Sequence, residues 1–132
     1  MNWYKVATLL LGSAAAFAVW AQGKQESQNK LVQPNFVAMF NLKVERGHEQ
    51  EFVKRFQERA GLIDKAEGFL GLFVLQHKEE SDRFTVMTLW REESDFHRWV
   101  NSEEFKRAHA RGGVPTKEMR LDTYTVKLTT LK

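Results

Sequence analysis

The sequence predicts an α+β domain of the ferredoxin-like kind, with elements in the order βαββαβ. Three observations carry this. Apolar residues alternate with polar ones in several short stretches between residues 35 and 131, the period of a half-buried strand. The period changes to helical spacing after His48 and again near Ser94, as amphipathic helices require. A short polar turn, Glu79-Glu80-Ser81-Asp82, joins two of the strands and makes them an antiparallel hairpin.

The first strand is Asn35 to Val44. Phe36, Ala38, Phe40, Leu42 and Val44 share one face, and Asn41 and Lys43 fall on the other. Arg46-Gly47 ends it. Phe52, Val53, Phe56, Ala60 and Ile63 then recur at helical spacing, opposite Glu49, Lys54, Arg55 and Glu58, and Gly61 and Gly68 bracket the helix end. Phe69 to His77 is the second strand. Arg83 to Trp90 is the third, with Phe84, Val86, Thr88 and Trp90 on one face. Phe96, Trp99 and Val100 form the stripe of a second helix that breaks at Asn101. Asn101 followed by Glu104 reads as a capping box opening a short helix from Ser102 to His109. A loop, Arg111-Gly112-Gly113-Val114-Pro115, precedes the last strand, Met119 to Leu131, on which Tyr124, Val126 and Leu128 share a face. Helices on one side of a four-stranded antiparallel sheet leave its other face uncovered, so a homodimer is expected.

The chain has 132 residues, one domain's length, with 42% hydrophobic and 28% charged residues, a globular balance. It has no cysteine, which excludes disulfides, thiolate metal sites and cysteine nucleophiles. Lys and Arg total 20 against 17 Asp and Glu, interleaved without a basic cluster. No nucleic-acid partner is expected from such a surface.

Residues 1–21 read as a leader. Lys5 precedes an uncharged stretch, Val6 to Ala21, that is shorter than the ~20 apolar residues of a bilayer span and ends in small residues at Val19 and Ala21. Export to a periplasmic or extracellular location is expected. The alternative is an uncleaved anchor, the chain's single membrane contact. Residues 22–33 read as a linker, and residues 34–132 as the folded domain.

The usual catalytic patterns are missing. There is no phosphate-binding glycine loop, no His-Glu-x-x-His and no nucleophile elbow. The four histidines, His48, His77, His97 and His109, are too scattered for a zinc site. His109 closes a short helix before a Gly-Gly loop. One reading is a surface imidazole favoured by the helix C-terminus, and the other is an axial haem ligand beside aromatic residues. Trp99, Trp90 and Phe73 read as core aromatics or as the wall of an aromatic pocket.

Gly-Phe-Leu-Gly (68–71), Thr-Leu-Trp (88–90), Glu-Glu-Ser-Asp-Phe-His-Arg-Trp (92–99) and Ser-Glu-Glu-Phe-Lys-Arg-Ala-His (102–109) closely resemble the antibiotic biosynthesis monooxygenase (ABM) family, nearest its IsdG-type haem-degrading branch. The resemblance implies a dimeric α+β barrel and one haem pocket per protomer, with haem as both substrate and cofactor and His109 as the axial ligand to its iron. It implies a catalytic tryptophan at Trp99 and a pocket that includes Phe40 and Phe73. The branch's third residue is a first-strand asparagine, seven residues before the glycine that opens the first helix. Counting back from Gly47 reaches Phe40, with Asn41 one place later. On a regular strand Asn41 then points to the opposite face, and only a bulge or altered turn restores it.

Three functions follow from the resemblance. The first is a haem-degrading monooxygenase, with His109 as ligand and Trp99 distorting the ring. The second is a cofactor-independent ABM monooxygenase binding a small aromatic or quinol substrate among Phe40, Phe73, Trp90 and Trp99. The third is an exported protein that binds haem without degrading it.

Overall fold

The structure, a computed structural model, describes residues 32–132 apart from positions 60 and 111. The predicted leader at 1–21 and residues 22–31 of the linker lie outside the described residues. The elements are β1 (Phe36–Val44), α1 (Glu49–Gln57), a 3₁₀ turn (Ile63–Lys65), β2 (Phe69–Gln76), β3 (Arg83–Trp90), α2 (Glu93–Val100), α3 (Glu103–His109) and β4 (Thr116–Thr125). The strands form one sheet in the order β2-β3-β1-β4, every neighbouring pair antiparallel. This is the ferredoxin-like arrangement that the alternation predicts.

The first helix is shorter than its apolar spacing predicts. Acidic Glu49 and Glu51 in its first turn and basic Lys54 and Arg55 in its last suit the helix dipole, but it stops at Gln57. Ile63 instead opens the separate 3₁₀ turn. Gly61, at φ +66°, stands between the two in a left-handed conformation through which an α-helix cannot continue.

The last strand also differs from expectation, running from Thr116 to Thr125 rather than from Met119 to Leu131. Its end is set by β1, because Thr125 pairs with Phe36, the first residue of that strand, and no strand among the described residues lies beyond to pair with residues 126–131. Its start is earlier because a bulge lets Lys117 and Thr116 pair with Lys43 and Val44.

Two apolar clusters hold the helix-covered side. Phe36, Ala38, Ile63, Trp90 and Trp99 form one; Leu42, Val44, Phe52, Phe84 and Val114 form the other. Each large side chain of this kind contributes about 1.5–3 kcal/mol when fully buried. Trp90 has no exposed surface, and its indole N–H donates to Thr88 Oγ1 at 2.9 Å, so no polar atom is left unpaired by its burial.

Gly68 fixes how α2 meets the sheet. It adopts φ +79°, and a Cβ there would overlap the Asp95 carboxylate on α2. Asp95 is buried and ion-paired through Oδ1 to Arg98 at 2.8 Å and Arg91 at 3.4 Å. The close approach of Gly68 to Asp95 brings the N-terminal end of β2 against the helix that carries Trp99, one turn after Asp95.

Candidate functional site

Trp99 is buried on α2, within the cluster of Phe36, Ala38, Ile63 and Trp90. The Phe105 ring of α3 meets the indole edge-on, with centroids 5.7 Å apart at 85°. His109, at the last position of α3, packs on the same phenyl ring. Its imidazole is 4.0 Å from the Phe105 ring at 32°, and Nδ1 lies 2.8 Å from the Phe105 carbonyl oxygen. A carbonyl only accepts, so Nδ1 of the neutral imidazole carries the proton and Nε2 keeps the lone pair. The spacing of ten residues between Trp99 and His109 thus becomes a contiguous row: indole, phenyl, imidazole.

This row depends on how the chain passes from α2 to α3. Ser102, and not Asn101 as the capping-box pattern predicts, is the N-cap of α3. The Ser102 hydroxyl accepts from Phe105 N–H at 3.1 Å and donates to the Trp99 carbonyl at 2.6 Å. Asn101 ends α2 instead, its side-chain amide donating to the His97 carbonyl at 2.8 Å. An asparagine amide can bond backward to an exposed helix-end carbonyl, and the next residue is then free to cap forward.

The other predicted residues are divided between the two faces of the sheet. Phe40 lies on the helix-covered face, between Val86 and Leu121, and packs against the second apolar cluster. Asn41 does not join it. β1 pairs with β3 residue for residue from Phe36 to Lys43, so β1 has no bulge. The irregularity between Asn41 and Lys43 places its extra residue on β4, near Glu118 at φ +53°. Asn41 therefore points to the opposite face, where it donates to Asp122 Oδ2 at 3.0 Å and accepts from Thr85 Oγ1 at 2.7 Å.

Phe73 also lies on that outer face, away from Phe40, Trp90 and Trp99. β2 advances two residues, Phe69 to Gly71, while β3 advances one. The extra residue lets Phe69 and Leu72 both pack on the first cluster, and alternation then turns Phe73 outward, 48% exposed. Leu75, 45% exposed, follows it on β2, and Tyr124, 49% exposed, shares the face from β4.

The remaining histidines are held elsewhere. His48 Nδ1 meets Glu51 Oε2 at 3.1 Å, where the contact, with Arg55 adding to it, holds the Glu51 carboxyl below its usual range. His77 Nδ1 accepts from the Glu79 and Glu80 amides and shapes the hairpin turn. His97 pairs loosely with Glu93 at 3.5 Å. No group of three metal-binding side chains occurs among the described residues, and no described helix is long and apolar enough to cross a membrane.

A cleft of about 550 Å³ lies between the 3₁₀ turn and the α2–α3 junction. Trp99, Leu62 and Ala66 supply its apolar wall, and Lys65, Arg98 and Arg107 its cations. Arg98 pairs with Asp95 and Glu67, and Arg107 pairs with Glu104, which reduces the cleft's net charge. Sequence reading missed Phe105 and Ser102. Both stand in the Ser-Glu-Glu-Phe run: the helical spacing of four to His109 signals Phe105, and a serine at the start of the helix signals the cap.

Comparison with known proteins agrees with this fold. Residues 35–111 match the model of the antibiotic biosynthesis monooxygenase family. A haem-degrading monooxygenase of Halalkalibacterium halodurans is 34% identical over 90 residues, 65% of this chain and 77% of the relative. One from Shouchella clausii is 41% identical over 69 residues, 51% of this chain and 64% of the relative's length. Among solved structures, the haem degrader MhuD of Mycobacterium tuberculosis, with two haems bound in its active site, superposes with a TM-score of 0.62 at 29% identity. That match covers 72% of this chain and 98% of MhuD. The matched segment holds the whole of β1 through α3, including Trp99, Phe105 and His109, and the chain belongs to the antibiotic biosynthesis monooxygenase family.

Proposed function

We propose that this chain binds haem through His109 and degrades it oxidatively, as a monooxygenase using dioxygen and an external reductant. The observation that carries the reading is the state of His109: Nδ1–H is engaged by the Phe105 carbonyl, and Nε2 is left as the ligating atom next to an aromatic row. Orientation of an imidazole by a bond at its other nitrogen is the usual arrangement of a metal-binding histidine. The two haem-degrading relatives and MhuD support the same reading. Haem, when bound, supplies the redox chemistry. The chain supplies ligation at Nε2, a rigid indole at Trp99 against which the ring is shaped, and an apolar wall.

One observation favours a second reading, a protein that binds haem and does not degrade it. By the count from Gly47, Phe40 stands where the resemblance puts the branch's strand asparagine; it faces the helix-covered side, and Asn41 is turned away into a bond with Asp122. A phenyl ring donates no conventional hydrogen bond there.

Haemin titration separates the possibilities. The parent protein is expected to give a Soret shift that His109→Ala abolishes or weakens strongly, while His48, His77 and His97 substitutions leave it nearly unchanged. A His109→Ala variant binding like the parent would sink the assignment of His109 as ligand and raise the cofactor-independent reading. Loss of the Soret band under reductant would then distinguish degradation from carriage.

The reading includes a homodimer joined through the outer sheet face, supported by exposed Phe73, Leu75 and Tyr124, and tested by sedimentation at micromolar concentration. It also includes export, supported by the sequence of residues 1–21. Full-length protein soluble in the cytoplasm would refute export, and intact protein in the membrane fraction would support the anchored form.

A further inference from the structure

We propose that Phe105 is the positioning residue that presents His109 to a ligand, a role that rests on the haem reading above. His109 is exposed at the last turn of a seven-residue helix, where an imidazole ordinarily samples several rotamers. Two contacts restrict it, and both come from one residue. The Phe105 carbonyl accepts the Nδ1 proton at 2.8 Å, and the Phe105 ring lies under the imidazole at 4.0 Å. The first selects the tautomer with a free Nε2, and the second fixes the plane of the ring.

Phe105 is itself held from two sides. Its amide donates to the Ser102 hydroxyl, and its ring abuts the buried Trp99 indole edge-on. The position of the indole is thereby transmitted to the imidazole through one phenyl ring. The other three histidines are held differently: His48 bonds to a carboxylate, His77 to turn amides, and His97, with its ring 5.5 Å from that of Phe96, engages Glu93 through Nε2 and not a carbonyl through Nδ1. A ligand nitrogen whose direction is set before binding loses less freedom when the bond forms. Phe105 makes no ligating bond, so its effect is on affinity and on the geometry of the histidine bond.

The test begins without haem. By NMR at a pH where the imidazole is neutral, His109 is expected as the Nδ1–H tautomer. Its ring protons are expected upfield of those of His48 and His77, through the Phe105 ring current. Phe105→Leu should remove the upfield shift, while the backbone carbonyl of residue 105 keeps the Nδ1–H tautomer. With haemin, Phe105→Leu should weaken binding about 10-fold, because the ring that fixes the plane of the imidazole before binding is gone, and shift or broaden the ferrous iron–histidine stretch in resonance Raman spectra. Phe105→Tyr, which keeps the ring, should restore all three readouts. Phe105→Met fills similar volume without a ring and serves as the second variant if the leucine form fails to fold. A parent His109 in the Nε2–H tautomer would overturn the proposal without any variant. So would a ringless variant with parental haemin affinity and an unchanged iron–histidine stretch. A parent that shows no Soret shift at all would remove the haem reading itself, and the presenting role with it.

Discussion

Ser102 Oγ lies 2.6 Å from the Trp99 carbonyl oxygen while accepting the Phe105 amide proton at 3.1 Å. One hydroxyl thus closes α2 and opens α3, and it fixes the angle at which the two candidate site helices meet. Ser102→Ala removes both bonds. The loss of an N-cap costs about 1 kcal/mol, which for a domain of this size lowers Tm by roughly 4–8 °C. Because the cap also holds Phe105, haemin affinity should fall with stability, and Ser102→Thr should recover most of both. An unchanged Tm and affinity in the alanine variant would show that water replaces the hydroxyl at both partners.

Trp99 is packed on one side by the first apolar cluster and on another by Phe105, so its indole has little room to move. Trp99→Phe keeps an aromatic ring but leaves space beside Phe36 and Ile63, a cost of about 1–3 kcal/mol. Haemin binding should survive within about threefold, while the rate of Soret loss under reductant should fall at least about tenfold. This is the signature of an interaction stronger in the transition state than in the ground state. Equal losses in both would mean that Trp99 only supports the pocket.

The element order and the third strand were legible because alternation and helical spacing report burial on one face directly. The strand Arg83 to Trp90 is found at its predicted bounds, since both its ends abut turns made by polar residues. Bounds set by other parts of the fold were not legible. Leu128 continues the alternation of Tyr124 and Val126, yet it lies beyond the strand because β1 offers no residue opposite it. The family resemblance located Trp99 and His109 by motif, but the side of the sheet on which Phe73 lies depends on one extra residue after Phe69. Nothing in Gly-Phe-Leu-Gly announces that bulge. Counting from Gly47 shows that Asn41 is one place out of phase with Phe40, but whether a bulge restores it depends on the ladder: β1 is regular and the irregularity sits on β4.

Phe73 tests the outer face. It stands about half exposed near the centre of β2, with Leu75 two residues along. If a second copy covers this face, Phe73→Asp places an unpaired charge in an apolar contact, a cost of several kcal/mol per buried ion. Two copies of the substitution occur in a symmetric dimer. Sedimentation should then show monomer at micromolar concentration, with far-UV circular dichroism unchanged because the side chain is outside the helix-covered core. A monomeric parent, or a variant dimerising as well as the parent, would place the contact elsewhere.

Substitution of Phe40 tests breakdown against carriage. It faces the helix-covered side from β1, between Val86 and Leu121, where the regular ladder denies Asn41 any access. Phe40→Asn puts a donor amide on that face without changing the strand register. It also removes a half-buried ring from the contacts of Leu42, Phe52 and Phe84, and about 2 kcal/mol of stability should be lost. Haemin affinity should change little if ligation runs through His109, as proposed. If the missing donor limits turnover, the rate of Soret loss should rise by about tenfold or more, the effect of one well-placed hydrogen bond on a developing charge. Asn41→Ala should leave that rate unchanged, because its amide is committed to Asp122 and Thr85 on the other face. A parent that already bleaches quickly and gains nothing from Phe40→Asn would mean that this chain degrades haem without a strand-borne amide. A protein that binds haem and stays unbleached in both forms would be a carrier.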